Sequence, residues 1–182
     1  MNILYETERL IVREWENKDC KDLYEYASDK NVTKFLSWPT YVSLDDAVSR
    51  INVVKQQYLE KSITVDYCIE FKEINKVIGS IGIVGYKEKN EGEVEIGYLL
   101  NPKFQGQGFM TECLVGMFKY IKQNKIAKRI VLKHDVENVK SGNVMKRAGM
   151  VFEGISRKAG KNNYHSRYDI AVYSILDEEI KL

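Results

Sequence analysis

The stretch QGQGFMT (105–111) spaces two glycines one residue apart, directly before a run of apolar residues with helical period. Where a helix begins, several N–H groups have no carbonyl partner, point the same way and carry the positive end of the helix dipole. Such a loop can hold an anion without a charged side chain. Gly106 and Gly108 let the main chain turn and let a ligand approach with no Cβ in the way, which suits a phosphate, most economically a pyrophosphate. The alternative is a tight strand-to-helix turn with no ligand. Two common nucleotide fingerprints are absent: no Gly-Lys-Ser/Thr completes a P-loop, and Thr111 stands where a Rossmann loop has its third glycine.

Further groups could do chemistry. In EVEIGY, strand alternation puts Glu93, Glu95 and Gly97 on one sheet face, opposite Val94, Ile96 and Tyr98. A carboxylate on a central strand is costly if buried alone, so Glu95 is either functional or on a solvated face. Asn138 and Ser141, three apart, share a helix face; they can bind a ligand, cap the helix, or both. Cys113 falls in the apolar phase of its helix and reads as core, and Cys20 and Cys68 have no argued base. His134 reads as structural. FLSWPTY (35–41) and NNYHSRYD (162–169) are aromatic turns, either packed on the core or facing a substrate.

These residues need elements to position them. RLIVREW (9–15) reads as a strand, 17–29 as a short helix, and 43–61 as a helix opened by Ser43 and Asp46 in capping-box spacing. Residues 64–71 and 76–87 form a hairpin, 92–100 a strand, 109 onward a helix, 129–136 a strand and 139–148 a helix stopped by Gly149. Two strands, 150–160 and 166–176, complete the set. Antiparallel hairpins with two β-α-β crossovers make a mixed α/β fold.

Composition sets the bounds. The 182 residues, with no repeat or proline-rich linker, suit one domain, 1–182. A net charge of +2 without arginine-rich runs carries no nucleic-acid signal. Three cysteines without a CxxC pair give neither a disulfide framework nor a zinc site. With no signal-like or 18-residue apolar stretch, the expectation is a cytoplasmic protein without membrane or metal partners.

Several blocks in order resemble the GNAT N-acetyltransferase superfamily, RimJ/RimL-type branch. Its Q/R-x-x-G-x-G/A loop is met by Gln105 and Gly108, with Met110 in place of the small final residue. TERLIVREW (7–15), EVEIGYLLNPKFQGQG (93–108) and NVKSGNVMKRAGMVFEG (138–154) are similar to its opening strand, its central strand and loop, and its Asn-x-x-Ser helix.

The resemblance implies a mostly antiparallel sheet of six to seven strands, splayed in the middle, with about four helices. It implies acetyl-CoA as donor, its pantetheine near Leu99 and Leu100, and its pyrophosphate on Gln105, Gly106, Gln107, Gly108, Phe109, Met110 and Thr111. Asn138 and Ser141 would hold the cofactor arm, with Asn143 and Lys146 nearer the nucleotide. Glu95 would deprotonate the amine, directly or through water, and Ser141 would serve the thiolate where many relatives have a tyrosine and this chain has Met145. Trp38, Tyr86 and Tyr164 are the expected acceptor-side residues, in a monomer or homodimer.

An α-amine, with a pKa of about 7.7–8.0, is substantially neutral at cellular pH, whereas lysine near ~10.4 is not. A protein N-terminus is therefore the expected acceptor, with a polyamine, aminoglycoside or amino acid as the alternative. A non-catalytic acyl-CoA-binding module is a third reading.

Overall fold

Apolar alternation in the strands and a 3.6-residue apolar period in the helices produce three layers in the computed structural model, which describes residues 2–88 and 92–182. In chain order the elements are β1 (Ile3–Glu6), β2 (Leu10–Arg13), α1 (Cys20–Ala27), α2 (Lys30–Thr33), α3 (Leu44–Leu59), β3 (Asp66–Phe71), β4 (Lys76–Lys87) and β5 (Glu93–Leu100). They continue as α4 (Phe109–Gln123), β6 (Arg129–Asp135), α5 (Val139–Arg147), β7 (Val151–Gly160) and β8 (Tyr168–Leu176). The eight strands form one sheet in the order β1-β2-β3-β4-β5-β6-β8-β7. Every neighbouring pair is antiparallel except β5 with β6.

One face of the sheet packs on α4, whose Met110, Cys113, Leu114, Met117, Phe118 and Ile121 meet Ile81, Val94, Ile96, Ile130 and Leu132. Cys113 is therefore core. The other face packs on α1 and α3 through Leu23, Tyr26, Ala47, Ile51 and Val54. Ser43 and Asp46 form the capping box expected at the start of α3. No helix among the described residues is long and apolar enough to cross a membrane.

Two elements correct the expected count of strands and helices. β1 is an edge strand of four residues, and α2 is one turn capped by Asp29, whose carboxylate accepts from Asn31 N–H at 2.8 Å. Both are too short to show a period.

Beside β1 lies a charge cluster inside the protein. Arg13 is 1% exposed, and all five of its N–H groups are used. Nε and Nη2 donate to Glu70 Oε2 at 2.7 and 2.6 Å, Nη1 and Nη2 to the two Asp19 oxygens at 2.7 and 2.9 Å, and Nη1 also to Glu14 O at 3.0 Å.

β5 and β6 are paired only over Glu93–Glu95 and Arg129–Val131, although β5 runs to Leu100 and β6 to Asp135. Beyond that register they diverge and open a cleft in mid-sheet. The β5 edge facing the cleft, including Leu99 and Leu100, pairs only with β4 on its far side.

Candidate functional site

The glycine loop lies at the mouth of this cleft. Asn101 ends β5 and is 2% exposed; its side chain accepts from Lys103 N–H at 3.1 Å and donates to Glu25 at 3.1 Å, fixing the turn. Gly106 and Gly108 both take left-handed conformations, with φ of 80° and 82°. A Cβ on Gly106 would meet nothing within 4 Å, so that backbone is bare toward solvent. The first α4 amide to reach a carbonyl is that of Glu112, 3.0 Å from Gly108 O. Among the described residues the amides of 106 to 111 meet no acceptor, and the buried Thr111 Oγ1 also lacks a partner. A row of free N–H groups and an orphaned hydroxyl at a helix N-terminus fits a diphosphate.

Arg9 braces this loop, a role that periodicity in the first strand could not reveal. Its guanidinium donates to Gln107 O at 3.1 Å, pairs with Glu112 Oε2 at 2.6 Å and lies 4.2 Å over the Phe109 ring. Glu112 also accepts from Thr7 Oγ1 at 2.5 Å. Burial alone would raise the Glu112 carboxyl, but these hydrogen bonds outweigh it and lower its pKa, so its charge complements the α4 N-terminus. Gln105 joins the two sides of the cleft mouth: it donates to Leu100 O at 3.3 Å and accepts from Lys140 of α5 at 3.1 Å.

Asn138 is the N-cap of α5, its carbonyl oxygen accepting from Ser141 N–H at 3.0 Å. Tyr98 reaches across from β5 on the α4 side. Its hydroxyl donates to Ser141 O at 3.0 Å and lies 2.9 Å from Ser141 Oγ. Tyr98 can donate only one proton, so Ser141 Oγ is the donor in the second contact. Burial pushes Tyr98 up to about 12, which keeps it a neutral donor. Met145 is buried in the core, and Tyr98 of β5 contacts the α5 serine. Asn143 and Lys146 are exposed on α5.

Gly142 fits tightly on this helix. A Cβ there would stand 2.8 Å from His134 Nε2, which is buried and unpartnered. Gly142→Ala is expected to lower stability by about 1–3 kcal/mol through overpacking. A thermal melt checks this, and an unchanged Tm would show that His134 swings away freely.

The opposite face of the sheet carries different groups. Glu95 and Lys133 make an ion pair at 2.5 Å, with side chains 32% and 39% exposed. Glu95 is thus a half-exposed carboxylate with a cation on one oxygen. Trp38 packs against the α1–α3 cluster on this face and lies 5.1 Å from Tyr41. Asn163 joins the two aromatic turns: its amide donates to Thr33 O at 3.0 Å and Trp38 O at 2.6 Å, and its N–H to Leu36 O at 3.0 Å. Tyr164 is 58% exposed and meets Phe35 edge-on at 6.4 Å, with Lys34 4.6 Å above its ring. Tyr86 stands apart. Its register opposite Val94 puts it on the α4 side, away from Glu95.

Comparisons with known proteins agree with this architecture. The family model described as the acetyltransferase (GNAT) domain matches residues 9–151. YnaD of Bacillus subtilis (strain 168), named an uncharacterized N-acetyltransferase, is 34% identical over 174 residues, covering 95% of this chain and 96% of that one. The ribosomal-protein-serine acetyltransferase of Escherichia coli (strain K12) is 30% identical over 142 residues, 76% of this chain and 77% of that one. The solved structure of the microcin C7 self immunity acetyltransferase MccE, in complex with acetyl-CoA and AMP, superposes with a TM-score of 0.82 at 26% identity and covers 93% of each chain.

Proposed function

Because the chain belongs to the GNAT acetyltransferase family, whose donor is acetyl-CoA, we propose that it moves the acetyl group onto a protein N-terminal α-amine of ribosomal-protein type. The observation that carries the donor side is the row of unpartnered amides from 106 to 111 beside the orphaned Thr111 hydroxyl. In this reading Gln105, Gly106, Gln107, Gly108, Phe109, Met110 and Thr111 hold the pyrophosphate. The free β5 edge at Leu99 and Leu100 binds the pantetheine amides, as a missing strand would. Asn138 and Ser141 border that arm, and Asn143 and Lys146 the nucleotide. Residues 1–182 act as one catalytic domain.

Acetyl transfer needs a neutral amine, donors for the oxyanion and a proton for the leaving sulfur. Ser141 supplies the last by turning its hydroxyl from Tyr98 to the sulfur, while Tyr98 holds the residue in place through its carbonyl oxygen. Glu95, still paired with Lys133, supplies the negative charge that draws the acceptor's ammonium to the site. Trp38 and Tyr164 wall the acceptor. The likeness to the ribosomal-protein-serine acetyltransferase and the low basicity of α-amines support an N-terminal acceptor. A small-molecule amine is the second reading, favoured by the likeness to MccE, an immunity acetyltransferase.

An amine panel monitored by free-thiol release separates the two; it includes peptides beginning with Ser, Ala or Met alongside polyamines, aminoglycosides and amino acids. Turnover confined to the small amines would overturn the N-terminal assignment. Ser141→Ala is expected to lower kcat by about 10- to 100-fold with little change in acetyl-CoA affinity. An unchanged kcat at saturation would remove Ser141 from the chemistry.

A further inference from the structure

At the C-terminal end of β6, a carboxylate and an imidazole face each other that nothing above has used. Asp135 is 3% exposed and is held from three sides. Glu137 N–H donates to its Oδ1 at 3.0 Å, Asn162 Nδ2 donates to its Oδ2 at 2.9 Å, and His165 Nδ1 lies 3.1 Å from the same Oδ2. Asn162 also fixes the histidine from behind, accepting from His165 N–H at 2.6 Å and Tyr164 N–H at 2.9 Å. A buried carboxylate at Nδ1 makes that nitrogen the donor and leaves the lone pair on Nε2. His165 keeps 26% of its side chain exposed.

The pair lies on the acceptor face. Strand alternation puts Asp135 on the same side of β6 as Lys133, about 7 Å further along toward the mouth of the cleft. Tyr168 feels both sites: burial raises it, and the charges of Asp135 and then Glu95 raise it further. Asn138 N–H donates to Asp135 O at 2.7 Å, which ties the dyad to the helix carrying Ser141. The aromatic ring beside His165 is Tyr164, with centroids 4.3 Å apart. Glu95, by contrast, has an oxygen committed to Lys133.

We propose that His165, oriented by Asp135, is the general base that takes the proton from the acceptor amine. The inference rests on the acetyl-transfer reading. His165 Nε2 takes one proton from the ammonium, and the freed nitrogen lone pair forms the C–N bond to the thioester carbonyl. The C–S bond breaks with its electron pair going to sulfur. Nitrogen gives up a second proton as the amide forms, and sulfur takes one through Ser141, so one proton is released overall, through His165 to solvent. Asp135 is a positioning residue: it fixes the tautomer and stabilises the imidazolium, as in other carboxylate–histidine pairs. Glu137, whose Oε1 is 3.5 Å from Nε2, accepts from the imidazolium once it forms. The charged or titratable groups around His165 are Asp135 and Glu137 from β6 and the turn after it, Tyr164 in its own loop, Lys34 across that ring, and Tyr168 of β8.

The test uses the full chain with acetyl-CoA and two acceptors, water and a peptide beginning with serine. His165→Gln is expected to lower kcat about 100-fold at unchanged acetyl-CoA KM and to erase the acidic limb of the pH profile of kcat/KM. Asp135→Asn should cost less and displace that limb. Imidazole 15N spectra of the unliganded protein should show the Nδ1–H tautomer at His165, lost in Asp135→Asn. CoA-dependent thermal stabilisation verifies that each variant is folded, with His165→Asn as a second variant. A His165→Gln rate within twofold of the parent with the acidic limb intact, or an Nε2–H tautomer in the parent, would overturn the proposal. If Glu95→Gln then removes both rate and limb, acetyl transfer stands and the base is Glu95. Failure of the parent to release thiol with water, the peptide or any amine of the panel overturns acetyl transfer itself, and the tautomer still decides the dyad.

Discussion

Gly108→Val is expected to abolish the thermal stabilisation that CoA gives this protein while leaving the core intact. Position 108 has φ of 82° and is the residue from which α4 departs. A β-branched side chain in the left-handed region is strained by about 1–2 kcal/mol, and the chain relieves that strain by rotating the peptide planes on either side. Those planes carry the amides of 108 and 109, part of the proposed diphosphate cradle. The new side chain would also crowd Arg9, whose Nη2 lies 3.5 Å from where a Cβ would sit. A loss of at least about 100-fold in CoA affinity, or ~2.7 kcal/mol, is the expected result. Calorimetry and thermal melts with and without CoA check it. Retained stabilisation would mean that the coenzyme binds elsewhere. The loop is exposed and the core residues of α4 begin at Phe109, so the melt without CoA should move by only a few degrees.

Arg13→Met is expected to have the largest effect on stability. It leaves Asp19 and Glu70, both under 10% exposed, as carboxylates without their cation inside the protein. Breaking a buried network by removing one partner costs about 3–5 kcal/mol. For a chain of this size that corresponds to a fall in Tm of ~10 °C or more. Replacing Glu70 by leucine as well should recover part of the loss, because one of the stranded charges is then gone. A fall of less than about 3 °C in a thermal melt, roughly 1 kcal/mol, would show that water reaches the cluster and solvates it.

The helices α3 and α4 and the strands β3 to β8 were legible because each is long enough to repeat its period and is bounded by a recognisable signal. Ser43 opens α3, Asn138 caps α5, and Gly149, with φ of 89°, ends it. β1 and α2 escaped because four residues hold no repeat. The bend in the loop from 105 to 111 was readable from glycine spacing, since Gly106 and Gly108 take left-handed conformations there. The rest of the candidate site depends on contacts between residues distant in sequence, which no local pattern encodes. Arg9 meets Gln107 across 98 positions, and Tyr98 meets Ser141 across 43. Lys133 on Glu95 follows from the β5–β6 register, and Asp135 with His165 from the way β6 and the β7–β8 loop come together. Tyr86 lies opposite Val94 on the α4 side, away from Glu95, because the irregularity between Ile83 and Gly85 shifts the strand alternation.

The three hydrogen bonds from Asn163 to the 33–38 segment bind a turn near the start of the chain to one near its end. In the proposed acceptor wall, the two turns form a single exchangeable cassette. Grafting residues 33–41 from a relative without its partner loop would have to reproduce all three carbonyl positions that Asn163 meets, so chimaeras should swap both segments together.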